Sequence, residues 1–71
     1  MDHKGKLIAL GLRVRKLREA RDWSQQELAD ECDLSKKTIQ RIELAKQNTK
    51  LETLMVLAET FRIPLKELMD F

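Results

Sequence analysis

The chain has 71 residues with a single Cys, 42% of it is hydrophobic and 37% is charged, and its formal net charge is +2. This length allows one small domain, the composition excludes a disordered chain, and the single Cys excludes an internal disulfide framework. No apolar run approaches the roughly 20 residues of a transmembrane helix and we recognise no signal peptide, so we expect a cytoplasmic protein.

Charge is unevenly distributed along the chain. Residues 1–21 carry seven Lys or Arg against two acids, residues 22–33 carry five acids and no Lys or Arg, and residues 35–46 carry four Lys or Arg against one Glu. Such segregation can give a small bundle one basic face, and a basic face attracts phosphate backbones. Taken alone, the charge pattern favours an ordinary solvated surface.

The first predicted helix has one apolar side. Apolar residues at steps of three and four positions mark one side of an α-helix, and here they are Leu7, Leu10, Val14 and Leu17. We predict that this helix ends near Asp22. Residues 1–6 precede the pattern and are predicted to form a flexible tail.

Two short helices are predicted next. The sequence SQQE at Ser24–Glu27 is a capping box, in which the Ser hydroxyl accepts from the N3 amide and Glu27 bonds back to the cap. A second helix therefore starts here and runs to about Cys32. Ser35 is the next N-cap, and Ile39 and Ile42 give a third short helix its buried side.

The last third of the chain predicts two more helices. TKLE at Thr49–Glu52 repeats the capping-box pattern, ahead of the apolar residues Leu51, Leu54, Leu57, Ala58 and Phe61. Pro64 suits the first position of a fifth helix. Because no strand alternation appears, the expected fold is all-α, a compact five-helix bundle in which residues 7–71 form a single domain.

The spacing from Gln25 to Ile42 predicts two helices that cross closely. A three- or four-residue turn permits this crossing only if a small residue lies at the contact, and Ala29 supplies it. The outward side of the third helix is then left with long hydrogen-bonding side chains, Lys36, Lys37, Gln40 and Arg41. Arg and Lys suit the O6 and N7 acceptors of guanine and Gln suits adenine, so this side is a candidate DNA-reading surface.

These patterns occur in an order that resembles a known family. Residues 10–68 are similar to the helix-turn-helix domain of the phage-repressor and XRE family of bacterial regulators, with RVRKLREARDWSQQELADECDLSKKTIQRIE as the core match and LETLMVLAETFRIPLKEL resembling the last two helices. The resemblance implies a lambda-repressor-like fold with the helix-turn-helix at helices 2 and 3. It also implies binding of double-stranded DNA, with a recognition helix of about residues 35–44 in the major groove.

The resemblance further implies roles for individual residues. Gln25 is expected to bind a DNA phosphate and to brace the recognition helix. Arg18 and Glu43 match an internal ion pair that links helix 1 to the end of helix 3, the alternative being two separate surface charges. The other expected DNA contacts are Ser35, Lys36, Lys37, Thr38, Gln40 and Arg41 of the recognition helix, and Lys46, Asn48 and Lys50 of the following loop.

The family commonly has Gly where its helices end with a positive φ, and this chain has other residues there. The corresponding positions are Asp22, Asp33, Ala45 and Arg62. Asp tolerates the left-handed region better than most residues, whereas Ala and Arg fit it less well. We therefore expect either local strain or altered helix ends, such as a third helix that continues by a residue and carries Leu44 toward DNA or a partner.

No catalytic or metal site is predicted. Cys32 has no His near it and its spacing places it in the core, while Trp23 is expected to pack between helices 1 and 2. His3 is the only His, and the one pattern with metal-ligand character is Met1-Asp2-His3, which with a free amino terminus could chelate Cu(II) or Ni(II). We expect no enzyme activity, no cofactor, no membrane contact and no small-molecule ligand.

The end of the chain predicts a homodimer. A two-turn helix cannot bury all of Leu65, Leu68, Met69 and Phe71 within one domain, although these residues would alternatively close the core of the monomer. The leading hypothesis is a homodimeric, sequence-specific transcriptional regulator on a roughly palindromic operator, with two recognition helices about 34 Å apart. A restriction-modification controller and an antitoxin-like autoregulator both fit. The competing class is a protein-interaction module that keeps the fold without reading bases.

Overall fold

The computed structural model describes residues 3–71, and all regular structure in this range is helical. The helices are α1 (His3–Glu19), α2 (Gln25–Cys32), α3 (Lys36–Glu43), α4 (Leu51–Phe61) and α5 (Leu65–Leu68). The prediction of an all-α, five-helix fold is therefore confirmed. None of the described helices is both long enough and apolar enough to cross a membrane.

Helix α1 differs from the prediction at both ends. It begins at His3, so residues 3–6, predicted to belong to a flexible tail, are helical. It ends at Glu19 rather than near Asp22, because residues 20–22 form a turn. The apolar spacing located the middle of the helix, but the polar first turn carries no apolar residue that would have shown its start.

Side-chain caps begin α2 and α3 as predicted. The amide of Glu27 donates to Ser24 Oγ (3.0 Å) and the amide of Ser24 donates to Glu27 Oε1 (2.8 Å), which completes the capping box of α2. At α3, the amide of Thr38 donates to Ser35 Oγ (3.1 Å). These bonds satisfy helix amides that have no partner within the helix.

The predicted starts of α4 and α5 are each wrong by one residue. The N-cap of α4 is Lys50, which makes no side-chain cap bond, and Thr49 Oγ1 is buried without a hydrogen-bond partner among residues 3–71. Pro64 is the N-cap of α5, so Leu65 is the first helical residue. Lys50 and Pro64 both have extended backbone, with ψ of 151° and 150°, and this conformation keeps each of them outside the helix that follows.

The four joints that lack Gly all have left-handed backbone, which is one of the two outcomes left open by the sequence. Asp22, Asp33, Ala45 and Arg62 have φ values of 57°, 56°, 56° and 59°. Helix α3 is not extended, since it ends at Glu43, and the chain still turns at Ala45 with a positive φ. Of the two expected outcomes at Ala45, the structure therefore has the strained backbone and not the longer helix. A left-handed residue other than Gly costs roughly 1 to 2 kcal/mol, less for Asp.

The hydrophobic core receives residues from every described helix. The most deeply buried large side chains are Val14 of α1, Leu28 of α2, Ile39 and Ile42 of α3, Leu57 and Phe61 of α4, and Leu68 of α5. Burying each of them stabilises the fold by roughly 1.5 to 3 kcal/mol relative to leaving it exposed. The core thus ties the two short helices α2 and α3, which are marginal in isolation, to the longer α1 and α4.

Leu68 joins α5 to this core. Its side chain is fully buried, so the prediction that Leu68 lies at a dimer interface is wrong, and it closes the core of the monomer instead. The physical reason is that α5 is one turn long and packs against α1 and α4, which directs one apolar side chain inward. Leu65 is half-buried, whereas Met69 and Phe71 remain 39% and 40% exposed.

Cys32 and Trp23 both pack into the interior. Cys32 is a free, buried thiol, and burial raises its pKa above the ordinary value, so it stays protonated at neutral pH. The prediction that Cys32 is a core residue is confirmed. Trp23 is half-buried and stacks on Phe61 with 6.3 Å between ring centroids, so it packs against α4 rather than only between α1 and α2.

Helix α1 crosses the end of α3 at Gly11, where the two backbones lie very close. A Cβ atom at Gly11 would lie 2.6 Å from the carbonyl oxygen of Ile42 and 2.7 Å from that of Glu43. Both distances are shorter than van der Waals contact, and a backbone oxygen cannot rotate away as a side chain can. The missing side chain of Gly11 therefore sets the separation of α1 and α3.

Gly11→Ala is expected to lower the free energy of unfolding by about 1 to 3 kcal/mol, because the added methyl group forces α1 away from α3. In an unobstructed helix the same substitution raises the free energy of unfolding by roughly 1 kcal/mol. The sign of the change in unfolding free energy therefore shows whether the close contact at Gly11 exists. Urea unfolding followed by circular dichroism measures it. Lys16→Ala, exposed and about 140° around α1 from Gly11, is the control and should change stability by less than about 0.5 kcal/mol. A stabilised Gly11→Ala protein would contradict the contact.

Candidate nucleic-acid interface

Helices α2 and α3 are joined by a tight turn over residues 33–35. Asp33 takes the left-handed conformation there, and the amide of Leu34 donates back to the carbonyl oxygen of Ala29 (3.0 Å), which ends α2. Ala29 is fully buried, as expected for the small residue at a close helix crossing, and Ile39 opposite it on α3 is fully buried as well. Asp33 therefore makes the turn that Gly usually makes in this kind of unit.

The outward side of α3 carries four exposed polar side chains, Lys36, Lys37, Gln40 and Arg41, which we call the polar face of α3. At 100° per residue these four positions fall within an arc of about 140°, while Ile39 and Ile42 on the opposite side are buried. The structure thus brings together on one surface all four residues that the sequence predicted to read bases.

The other two predicted contacts on α3 are engaged in its cap. Ser35 Oγ and Thr38 Oγ1 lie 2.8 Å apart and share one hydrogen bond, in addition to the bond from the Thr38 amide. A pair of hydroxyl groups has two hydrogens, and the shared bond uses one of them. One hydroxyl hydrogen therefore remains to donate to a phosphate at the start of α3.

The carboxylate of Glu43 fixes the far end of α3 to α1 and α2. Arg18 of α1 donates to Glu43 Oε2 through Nε (2.7 Å) and to Oε1 through Nη2 (3.0 Å), so the predicted pair meets in a bidentate geometry. The Nη1 group of Arg18 also donates to the carbonyl oxygen of Trp23 (2.8 Å). Only 11% of the Arg18 side chain and 3% of the Glu43 side chain are exposed.

Gln25 completes this arrangement, which we call the Glu43 cluster (Arg18, Gln25 and Glu43). Gln25 Nε2 donates to Glu43 Oε1 (3.2 Å), so the first residue of α2 braces the end of α3 as the sequence comparison implied. The hydrogen bond with Glu43 raises the pKa of the Arg18 guanidinium above its ordinary value, although burial acts in the opposite direction. The guanidinium of Arg18 therefore keeps its positive charge throughout the physiological pH range.

Arg41 is held by the loop that follows α3. Its Nε donates to Gln47 Oε1 (2.9 Å) and its Nη2 donates to the carbonyl oxygen of Lys46 (3.1 Å). Lys36, Lys37 and Gln40 make no side-chain hydrogen bond within residues 3–71. Arg41 is therefore the member of the polar face whose position the fold itself determines.

The loop between α3 and α4 adds further basic and polar groups beside the polar face. Lys46, Asn48 and Lys50, the predicted phosphate contacts, are all exposed. His3 Nε2 lies 3.0 Å from Asn48 Oδ1, which places the first turn of α1 next to this loop. The predicted chelating sequence Met1-Asp2-His3 extends into Met1 and Asp2, which lie outside the described residues.

Acidic side chains occupy a different part of the surface. The five acids of residues 22–33 are all exposed on α2 and at its ends. Glu31 and Asp33 line a shallow concavity with Glu59 of α4 and with Arg62, which follows α4. The basic residues that adjoin the recognition surface lie instead on α3 and the loop after it. The charge segregation seen in the sequence therefore corresponds to separate surfaces, which orients the domain toward a polyanion.

Two residues that contact this site, Gly11 at the crossing of α1 and α3 and Gln47 beside Arg41, were not identified from the sequence. Gly11 lies seven residues before Arg18, two helical turns away on the side of α1 that faces α3, and this spacing was a signal that could have been used. Gln47 lies six residues after Arg41 in a loop without regular periodicity. No sequence pattern predicts which side chain such a loop brings back to α3.

Comparison with known proteins agrees with this geometry. A sequence model of the helix-turn-helix family matches residues 14–68. The crystal structure of the restriction-modification controller protein C.AhdI from Aeromonas hydrophila superposes with a TM-score of 0.89 at 32% sequence identity, covering 96% of this chain and 99% of that protein.

Two other solved structures share the fold. A hypothetical transcription factor, NHTF from Neisseria, has a TM-score of 0.84 at 25% identity, covering 89% of this chain and 72% of that one. The apo form of the competence regulator ComR from Streptococcus vestibularis has a TM-score of 0.82 at 26% identity, and the match covers 92% of this chain but only 22% of that larger protein. No curated protein matches this chain in sequence.

Glu43→Gln is expected to lower the free energy of unfolding by roughly 2 to 5 kcal/mol, because it leaves the charge of Arg18 buried without a counter-ion. The matched control is Glu19→Gln, which breaks the Arg15–Glu19 pair (3.2 Å), whose side chains are 59% and 54% exposed. An exposed pair contributes less than about 1 kcal/mol. Chemical denaturation of both variants measures the difference, and equal small losses would show that the Glu43 cluster does not support the fold.

Proposed function

Because the chain belongs to the XRE-type helix-turn-helix family, whose sequence model matches residues 14–68, we propose that it regulates transcription by binding double-stranded DNA at specific sequences. The observation that carries this proposal is the polar face of α3, whose hydrogen-bonding side chains are exposed. The Glu43 cluster holds the end of this helix against α1 and α2. A helix fixed in this way presents its side chains to the major groove in one orientation.

The residues of the site divide into base contacts and phosphate contacts. Lys36, Lys37 and Gln40 extend freely from the first turns of α3 and suit base edges, with Lys directed to guanine and Gln to adenine. Arg41 reads a base from the last turn. The phosphate contacts come from the elements around α3, namely Gln25, Ser35, Thr38, Lys46, Asn48 and Lys50.

The regulator acts as a homodimer on a roughly palindromic operator. One α3 of eight residues presents four side chains, which read only a few base pairs, so a second copy is needed for a site that is rare in a genome. In such a dimer the two recognition helices lie about one helical turn of DNA apart, roughly 34 Å, and a domain that measures 33 × 24 × 21 Å is compatible with this spacing. The exposed apolar residues at the end of the chain, Met69 and Phe71 with half-buried Leu65, supply the contact.

Control of a restriction-modification system is the biological role that the structural likeness favours. C.AhdI, a restriction-modification controller protein, is matched over 99% of its length, whereas the match to ComR covers only 22% of that protein. The alternative to a DNA-binding role is a protein-interaction module that uses its exposed apolar residues, which include Leu51 and Met55 on α4. That alternative does not explain the basic surface beside α3.

The DNA-binding proposal predicts selective, salt-dependent capture of DNA. Incubated with fragmented genomic DNA at moderate salt, the protein should enrich particular fragments, and affinity should fall steeply as salt is raised. Lys46→Ala should weaken binding to all sequences alike and reduce the salt slope by about one, because a phosphate contact carries no sequence information. Lys16→Ala removes the same charge from the outer side of α1 and should leave both unchanged. Enrichment no greater than that of random fragments would refute the proposal.

The dimer proposal predicts which substitution dissociates the protein. Phe71→Lys places a charge in the proposed contact and should shift sedimentation toward monomer at micromolar concentration without loss of helix content. Met55→Lys is the matched control, since Met55 is 52% exposed but lies on α4. Dissociation by Met55→Lys and not by Phe71→Lys would move the interface to α4, and a wild-type protein that sediments as a monomer even on DNA would exclude the dimer.

A further inference from the structure

We propose that Gln47 is a specificity-determining residue, which positions Arg41 so that only one edge of its guanidinium group is presented to a base pair. This inference rests on the DNA-binding function proposed above and adds a residue to it. Gln47 itself makes no base contact in this arrangement. It acts through Arg41, from the loop between α3 and α4.

The geometry of the two hydrogen bonds defines the edge that is presented. A guanidinium group has five N–H donors in a rigid plane. Arg41 uses Nε for Gln47 Oε1 (2.9 Å) and Nη2 for the carbonyl oxygen of Lys46 (3.1 Å), which together occupy the side edge of the group. The hydrogens that remain are both of those on Nη1 and one on Nη2, so the end edge formed by these two nitrogens is the free bidentate donor.

A free end edge matches a specific acceptor pair. Guanine presents O6 and N7 side by side in the major groove, and a bidentate bond from Arg to this pair is the commonest specific contact in protein–DNA recognition. An unrestrained Arg on an exposed helix would have to lose its rotamer freedom on binding, which costs up to roughly 2 kcal/mol. Because the loop already restrains Arg41, this side chain loses its rotamer freedom when the protein folds and not when it binds DNA.

The chemical nature of the partner explains why this arrangement differs from the one at Arg18. Arg18 is held along the same Nε and Nη2 edge, but by the carboxylate of Glu43, and only 11% of its side chain is exposed. Arg41 is exposed and is held by a neutral amide and a backbone carbonyl. A neutral acceptor fixes the direction of the guanidinium while leaving its full positive charge available to DNA.

The experiment measures base preference rather than stability. After a bound genomic fragment has been selected, affinities are measured for operators changed at one base pair at a time, and Arg41→Ala identifies the pair at which preference depends on Arg41. Gln47→Met keeps the length of the side chain and removes its carbonyl acceptor. We expect Gln47→Met to lower the preference at that same pair by at least about fivefold, the lower limit for one bidentate contact.

Three further measurements separate positioning from a general effect. Gln47→Glu keeps an acceptor at the same place, so the preference should be retained while the added negative charge weakens binding to all sequences. The double variant Arg41→Ala with Gln47→Met should show no greater loss of preference than Arg41→Ala alone. Gln26→Met is the control, because Gln26 also makes a side-chain hydrogen bond, to Asp30 on α2 (2.9 Å), and should leave the preference unchanged.

The possible results have distinct meanings. A wild-type protein with no preferred sequence would overturn both this inference and the function on which it rests. A selective wild-type protein whose preference survives in Gln47→Met, or whose binding falls equally on every sequence in that variant, would overturn the role of Gln47 alone. Loss of preference in Gln47→Met and its recovery in Gln47→Glu, with unchanged urea unfolding midpoints, would establish it.

Discussion

The carboxylate of Glu43 receives hydrogen bonds from Arg18 Nε, Arg18 Nη2 and Gln25 Nε2, and the position of the recognition surface depends on these bonds. They come from α1 and α2, so one buried group joins three helices at the end of α3. Removing two charges from water is unfavourable unless each is hydrogen-bonded and paired, and this geometry meets both conditions. The close backbone contact at Gly11 lies at the same junction, since the oxygens of Ile42 and Glu43 are its neighbours. Sterics and electrostatics therefore fix α3 at the same point.

The same functional group serves opposite purposes at two positions near the end of α3. Arg18 is buried against a carboxylate, so its charge is neutralised and its contribution is to the fold. Arg41 is exposed and bonded to neutral oxygens, so its charge remains available to a polyanion. The five acids of residues 22–33 lie on α2 and at its ends, apart from α3 and the loop that follows it. A basic surface thus adjoins the recognition helix even though the whole chain carries a net charge of only +2.

The absence of Gly at the helix joints has a cost that the rest of the fold outweighs. Asp22, Asp33, Ala45 and Arg62 hold the left-handed conformation in which Gly is unstrained. Residues in such regions persist only where the surrounding structure determines them. Arg62 directly follows buried Phe61, Asp33 directly follows buried Cys32, and Ala45 lies three positions after buried Ile42.

Local interactions were predictable from the sequence pattern, whereas contacts between distant residues were predictable only where the resemblance to a family supplied them. The caps at Ser24 and Ser35 and the outward position of Lys36, Lys37, Gln40 and Arg41 follow from hydrogen bonds and spacings within a few residues. The Arg18–Glu43 pair was predicted from resemblance to a family, and the same resemblance left open whether the joints without Gly would be strained or would have altered helix ends. The cap predicted at Thr49 lies at Lys50, and Pro64, predicted as the first residue of α5, is its N-cap. Leu68 was predicted at a dimer interface but is buried in the core, because burial depends on which helices surround α5. Gly11 and Gln47 were found only in the structure, since the first matters through the backbone of α3, 31 residues or more away along the chain, and the second through a loop whose path no periodicity describes. The sequence alone determined which helices form and which side chains of α3 face outward. Only the tertiary structure decided how α3 is fixed and how Arg41 is directed, because both depend on contacts that exist only once the helices have packed together.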